Sequence, residues 1–503
     1  MSQFLYIDNL TFTYENSIIP LFESVSCQMQ TGWTGVVGAN GSGKSTLLKL
    51  ITGQLQPNSG QINFQGATLY CEQRTDFLPE AIEQLIYSTE KIAYKIKNAL
   101  QIQNDWIERW NTLSHGERKR LQIALALFLQ PAVLAIDEPT NHLDVESKRV
   151  ILNALRNYRG IGLLVSHDRS ILDKLCHHTL FVMPPGIDLR ACNYSVAAAE
   201  LERENEFQVQ EFIQSKKEVR KLRRRVQQQR EKVQRSAKKR SKRNIAPKDH
   251  DAKGKVDLAR LTGKDGIESR LQQRLQSRFD HAEDLYHSIE LKKNSPLGIE
   301  FNAAKAAIGF PITIPNQKIH LGENKTLHVP DLAIQFSDKI GIVGENGSGK
   351  STLINHLLKS QPFSKIQVIY IPQEIPLDES REIIQRIQAY QGDEKGQIMS
   401  IVSRLGSEPL HLLETTMPTP GEVRKLLLAE GLMLNPGLIV MDEPTNHLDL
   451  PSIEHIEKAL RECPCAQLLV SHDYVFLKNA VNYYWQFTRK NANEFKIDGS
   501  YSV

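Results

Sequence analysis

The sequence predicts an α/β protein in which two P-loop domains of one design, 1–193 and 301–503, are joined by a long basic α-helical hairpin linker, 194–300. Three observations carry this. A glycine-rich loop of the form GxxxxGK[ST] follows a β-rich run twice, from Gly38 to Ser45 and from Gly344 to Ser351. A ten-residue run, Ala135 to Asp144, returns 305 residues later as Val440 to Asp449. Between the copies, about fifty residues from Tyr194 to Ala246 contain no Gly or Pro, so a helix there meets no breaker.

Composition bounds the function classes. A chain of 503 residues, 40% apolar and 24% charged, is ordinary for a globular protein of two or three domains. The longest apolar stretch, around Ile123 to Ile136, is broken by Gln130 and Pro131 and is too short to span a bilayer. No charged-then-apolar leader opens the chain, so a cytoplasmic protein is expected. The six cysteines are scattered except for Cys463 and Cys465, a spacing that matches no zinc pattern, and they read as reduced thiols.

In chain order, Phe4 to Asn9 reads as a first strand and Trp33 to Val37 as the strand that delivers the first loop. The glycines Gly38, Gly41 and Gly43, with Asn40 between them, let backbone N–H groups turn toward phosphate. Lys44 supplies a cation to the outer phosphates, and Ser45, followed by Thr46, offers a hydroxyl to Mg²⁺. Further on, apolar residues lead into Asp137 and Glu138 at an expected strand end. Asp137 suits Mg²⁺ and Glu138 suits polarising an attacking water. A lone acidic pair could be a helix cap; two in matched context, each following a phosphate loop, are a site.

The linker is the basic part of the chain. Between Lys216 and Arg243 fifteen Lys or Arg face only two Glu, a local net of +13 in a chain of +4, which leaves about −9 for the remainder. Charge so concentrated suits a polyanion, and Arg223, Arg224, Arg225, Lys238, Lys239 and Arg240 are the candidate RNA-binding residues. Phe212, Val219, Leu222, Val226 and Val233 form an imperfect heptad seam, with Gln208 where an apolar residue is wanted and Val209 one step off. After a break carrying Pro247, Gly254, Gly263 and Gly266, a second stripe of Leu271, Leu275, Ala282, Leu285 and Ile289 predicts an antiparallel partner.

The second copy repeats the site: Gly344, Asn346, Gly347, Gly349, Lys350, Ser351 and Thr352 in the loop, Asp442 and Glu443 at the strand end. Val165-Ser166-His167-Asp168 likewise returns as Val470-Ser471-His472-Asp473.

At this point the sequence resembles an ATP-binding-cassette ATPase with paired cassettes, and the EPTNHLD run in both copies resembles the ABC-F family in particular. The resemblance implies two P-loop ATP-binding-cassette domains that bind ATP with Mg²⁺. It implies that Gln73 and Gln373 sense Mg²⁺ and water, that His167 and His472 are the switch histidines at the γ-phosphate, and that Asp144 and Asp449 couple the sites across the interface. Ser114 and Gly116, in Leu113-Ser114-His115-Gly116-Glu117, resemble the family signature that completes the opposite site. The second copy departs from it: Thr419 and Gly421 lie in Pro418-Thr419-Pro420-Gly421-Glu422, where Pro420 has no N–H to donate. Tyr14 matches the adenine-stacking aromatic, with core packing beside Phe12 as the alternative, and His320 is the nearest candidate in the second copy.

By the same resemblance the protein is a ribosome-associated ATPase. Its linker is directed at 23S rRNA and peptidyl-tRNA, and it either protects ribosomes from antibiotics or relieves stalled translation. The resemblance also implies a monomer with intramolecular cassette pairing. The short span between Gln73 and Ser114 and the absence of a basic tail point to the protective subgroup. Two other classes compete. A tandem ATPase subunit of a membrane ABC importer has no need of the basic linker or of EPTNHLD. A DNA-maintenance ATPase would carry its coiled coil inside a cassette.

Overall fold

The computed structural model describes residues 3–15, 17–140, 143, 145–239, 264–288, 308–322, 325–360, 366–407, 409, 412, 419–446, 448–491 and 493–501. It divides into two compact units, Met1–Ala197 with Ser295–Val503, and Ala198–Asn294. Both α/β domains therefore belong to one unit and the hairpin to the other.

In the first domain a six-stranded sheet runs in the order Thr68–Cys71, Val133–Asp137, Ile161–Val165, Gly32–Val37, His178–Met183, Gly186–Arg190. The first five strands are parallel and the last turns back antiparallel. Val133–Asp137 and Ile161–Val165 are buried along their whole length, as unbroken apolar runs in a parallel sheet should be. A separate antiparallel sheet of Phe22–Gln30, Phe4–Phe12 and Ser59–Asn63 lies beyond the helix Lys44–Ile51. One core, including Leu5, Phe22, Leu47, Ile51, Leu163 and Leu180, joins that helix to both sheets.

The second domain repeats this order: Val368–Ile371, Leu438–Asp442, Ala466–Val470, Lys339–Gly344, Tyr483–Arg489, Glu494–Tyr501. Here Glu494–Tyr501 also pairs in parallel with Lys325–Val329, so the hairpin Gln317–Gly322/Lys325–Val329 joins the main sheet and brings it to eight strands. In both domains the phosphate loop and the acidic pair leave the carboxyl ends of parallel strands separated by a single strand, Ile161–Val165 or Ala466–Val470, the edge where open α/β sheets bind ligands.

The hairpin unit holds the helix Lys264–Ser288 and, from Ala198 onward, the helix Tyr194–Lys239. Phe212 stacks on Tyr286 with centroids 5.0 Å apart and Arg230 donates to Gln276 Oε1 at 2.8 Å, contacts that run in opposite directions along the two helices and make them antiparallel. Leu222, Val226 and Gln229 are buried, and Arg223, Arg224 and Arg225 between them are exposed. The expected second stripe needs correction. Leu271 and Leu285 are exposed, whereas Leu275, Phe279, Ala282 and Tyr286 are partly covered. The aromatic stack rotates the helix so that Phe279 and Tyr286 take the seam. On the first arm Val209 is half-buried and Gln208 exposed, and Gly266 lies inside the second helix rather than in the break. Arg240, Ile289 and residues 244–263 of the expected tip lie outside the described residues, as do the side chains of Lys238 and Lys239. Among the described residues no helix is long and apolar enough to cross a membrane.

Candidate nucleotide site

The two phosphate loops share one cavity of about 1360 Å³, lined from both domains. Each loop closes because its last glycine takes a left-handed turn, with φ of 92° at Gly43 and 98° at Gly349. A Cβ there would sit 2.8 Å from Leu21 Cδ2 or 2.6 Å from Leu321 Cδ2, so any other residue would combine a strained left-handed backbone with displacement of that leucine. The lysine that follows turns back: Lys44 Nζ donates to the Gly38 and Ala39 carbonyls at 2.9 Å each, and Lys350 Nζ donates to Gly344 and Glu345 at the same distances. Burial lowers the pKa of both lysines, against the pull of the nearby carboxylates.

Beside each lysine a hydroxyl meets a carboxylate. Ser45 Oγ donates to Asp137 Oδ2 and Ser351 Oγ donates to Asp442 Oδ2, both at 2.6 Å. Such a hard-oxygen pair is what Mg²⁺ takes from a protein when phosphates and water complete its shell. The residues present therefore fit the metal. Among the described residues no cluster of three or more His, Cys, Asp or Glu competes for it. The Tyr70 hydroxyl donates to the same Asp137 oxygen at 2.9 Å, and its partner by position, Tyr370, lies near Asp442. Neither tyrosine stands out in the sequence, although both sit three residues before the loop glutamine.

The glutamates Glu138 and Glu443 have φ of 46° and 50°, a strained region for a non-glycine residue. Each N–H is held by the next strand, Glu138 donating to Val165 O at 2.9 Å and Glu443 to Val470 O at 2.8 Å. Their carboxylates accept from the backbone N–H of His167 at 3.3 Å and His472 at 3.4 Å. His167 Nε2 lies 3.1 Å from Glu138 Oε1; His472 Nε2 lies 3.6 Å from Glu443 Oε1 and 3.0 Å from Asn346 Oδ1. Burial, with Lys44 adding to it, pushes His167 down to about 4, so the ring is neutral at pH 7. Burial raises both glutamates, with Asp137 reinforcing the shift at Glu138, and Glu443 is pushed up to about 7.

That shift has a measurable consequence. Between pH 4.5 and 7 the folded protein holds a proton on Glu443 that the unfolded chain has lost, so this group makes stability fall as pH rises through that window. Glu443→Gln removes the dependence. Nucleotide-free Glu443→Gln should melt above the wild type, with a gap that widens from about pH 5 to pH 8 toward roughly 1–3 kcal/mol. A gap that is absent, or that narrows with pH, refutes the assignment.

Across the domain interface Asn40 N donates to Asp449 Oδ2 at 2.6 Å, while Asp449 Oδ1 caps the helix Leu450–Glu462 through Ser452 N at 2.9 Å. Thr419 and Pro420 line the same cavity, and Ser114 and Gly116 do not. Gly116 packs instead against Leu143, and Gly421 is buried at the start of its helix. Ser114 and Thr419 are both N-caps in capping boxes with Glu117 and Glu422. A buried ion pair, Arg169 Nη1 to Glu457 Oε2 at 2.9 Å, and the Tyr194 hydroxyl on Glu454 at 2.7 Å add to the interface. Asp144 and Pro418 lie outside the described residues.

Tyr14 lines the cavity, its ring edge-on to Phe12 with centroids 5.0 Å apart and its hydroxyl 2.6 Å from Thr46 Oγ1. Thr46, Thr352 and the glutamines Gln73 and Gln373 line it too, the glutamines with exposed side chains. His320 does not. Side chains alternate along the strand Gln317–Gly322, and it is Leu321 that lines the cavity.

The profile of the ABC transporter family matches residues 22–141 and 327–446. The ribosome protection protein VmlR of Bacillus subtilis is 26% identical over 96% of this chain and 86% of its own length. The erythromycin resistance ATP-binding protein MsrA of Staphylococcus epidermidis is 26% identical over 91% and 92%. Among solved structures, the archaeal ribosome recycling factor aABCE1 in complex with the stalk protein aP1 superposes with a TM-score of 0.59 at 19% identity, covering 97% of this chain and 89% of that one.

Proposed function

The chain is an ABC-F protein, a tandem-cassette ATPase with two ABC transporter domains, and from that premise we propose that it acts on the ribosome, protecting it from antibiotics or relieving stalled translation. In this reading a monomer in the cytoplasm closes its two cassettes around ATP and Mg²⁺. Lys44 and Lys350 meet the phosphates, and Ser45 with Asp137, and Ser351 with Asp442, hold the metal beside Gln73 and Gln373. Glu138 and Glu443 polarise water, with His167 and His472 at the γ-phosphate. Tyr14 stacks on the adenine of the first site.

The observation that supports a ribosomal partner is the outward face of the hairpin: Leu222 and Val226 are buried while Arg223, Arg224 and Arg225 face solvent. Unopposed guanidinium groups along a helix suit an RNA backbone, here 23S rRNA and peptidyl-tRNA. Each phosphate they neutralise releases counterions, so association should weaken steeply with salt. Replacing all three arginines by Gln should flatten that salt slope by roughly one for each phosphate no longer neutralised. Sucrose-gradient co-migration with 70S particles, run across a salt series with a non-hydrolysable ATP analogue, reads this directly. Cell-free translation with antibiotics acting at the ribosome's catalytic centre then separates protection from relief of stalling. Failure to co-migrate at any salt overturns the reading.

A further inference from the structure

Each signature helix turns a cation inward onto the site-bearing loops; in the second helix Lys425 is buried beside it but donates to Ser407 Oγ at 3.0 Å instead. Lys119 is the fifth residue after the cap Ser114 and Arg424 the fifth after Thr419, so the two hold the same position in the two copies. Lys119 is fully buried and Arg424 is 3% exposed. Neither meets a carboxylate at bonding distance among its described hydrogen bonds; both are satisfied by backbone carbonyls. Lys119 Nζ donates to Glu72 O at 2.6 Å and Asp137 O at 3.2 Å. Arg424 reaches one residue further on each side. Its Nη1 donates to Glu443 O at 3.0 Å and Asn446 O at 2.9 Å, and its Nη2 to Gln373 O and to Pro372 O at 3.5 Å.

These carbonyls are not arbitrary. One set belongs to the loop that bears Gln73 or Gln373, the other to the strand end that bears the metal-holding aspartate and the strained glutamate. Burying a cation costs several kcal/mol unless it is fully hydrogen-bonded, so each side chain is committed to these acceptors. Arg424 commits one more segment. From Asn446 the chain runs to Asp449, whose carboxylate accepts from Asn40 in the other domain's phosphate loop.

We propose that Lys119 and Arg424 are positioning residues of the ATPase reaction, each fastening the loop glutamine and the acidic pair of its own site to its own signature helix. The helix, the glutamine loop and the metal-holding strand end then move as one piece. In the second copy that piece includes the segment touching the facing phosphate loop.

The test uses full-length protein with Lys119→Met, Lys119→Arg, Arg424→Met and Arg424→Lys. With Lys119→Met placed in the Glu443→Gln background, where turnover is that of the first site, and Arg424→Met in the wild-type background, each should lose about 10- to 100-fold in kcat, the range seen when outer support of a metal site is removed, with KM for ATP nearly unchanged. The Mg²⁺ concentration for half-maximal rate should rise severalfold. Lys119→Arg and Arg424→Lys keep a donor at the carbonyls and should recover most of the rate with a near-normal Mg²⁺ requirement. If a Met variant does not fold, as judged by thermal melting, Leu, which likewise has no donor, replaces Met and the same comparison applies. A folded Met or Leu variant with the kcat of its own background and a normal Mg²⁺ requirement overturns the proposal. So do conservative variants as impaired as the others, since that is loss of packing alone.

Discussion

The double variant Glu138→Gln/Glu443→Gln should bind ATP and hydrolyse it about 10²- to 10⁴-fold more slowly than the wild type. Gln keeps the size of Glu, and its amide oxygen still accepts from the N–H of His167 or His472, so the left-handed turn and the strand-end hydrogen bonds to Val165 and Val470 survive. What is lost is a carboxylate able to polarise water. Both carboxylates already stand in surroundings that raise their pKa, which makes them better bases once ATP and Mg²⁺ are in place. Binding is read with a fluorescent nucleotide and turnover by phosphate release. Retained binding with a rate within about twofold of wild type, against the expected loss, removes these residues from the mechanism.

The fold was legible because it is written twice. A parallel sheet buried on both faces needs unbroken apolar strands, so Leu134 to Ile136 and Leu468 to Val470 announce themselves, and the loop and acidic run mark which strands end at the site. The ATPase chemistry was legible for the same reason: its residues lie in short contiguous motifs. The second set of site residues was not. Nothing in Glu117-Arg118-Lys119-Arg120 says which charge turns inward, since helical period marks a face but not a strand end waiting beneath it. Arg169 and Glu457 pair across an interface that no local pattern encodes. His320 and Leu321 were separated only by the direction of a strand. On the hairpin, the stripe read from the leucines left out Phe279 and Tyr286, which the Phe212–Tyr286 stack brings into the seam.

The two nucleotide sites should contribute unequally, and Glu443→Gln should slow turnover more than Glu138→Gln. The site that contains Glu138 is the one reached by the second copy: Asp449 accepts from Asn40, and Thr419 and Pro420 line the same cavity. Pro420 occupies the first helical position after the cap, where proline costs the helix nothing but removes an N–H aimed out of the helix N-terminus. His115, at the corresponding position of the first signature, keeps its N–H. One preorganised donor at developing negative charge is worth roughly 3 kcal/mol, or about 10²-fold in rate. The Glu138 site is thus the slow one, and disabling Glu443 removes the faster. Pro420→His should then recover part of the turnover lost in Glu443→Gln, because it returns a donor to the site that still has its glutamate. Steady-state phosphate release from the two single variants and from Glu443→Gln/Pro420→His decides the matter. Equal losses, the reverse order, or no recovery from Pro420→His would show that the missing N–H does not limit the first site.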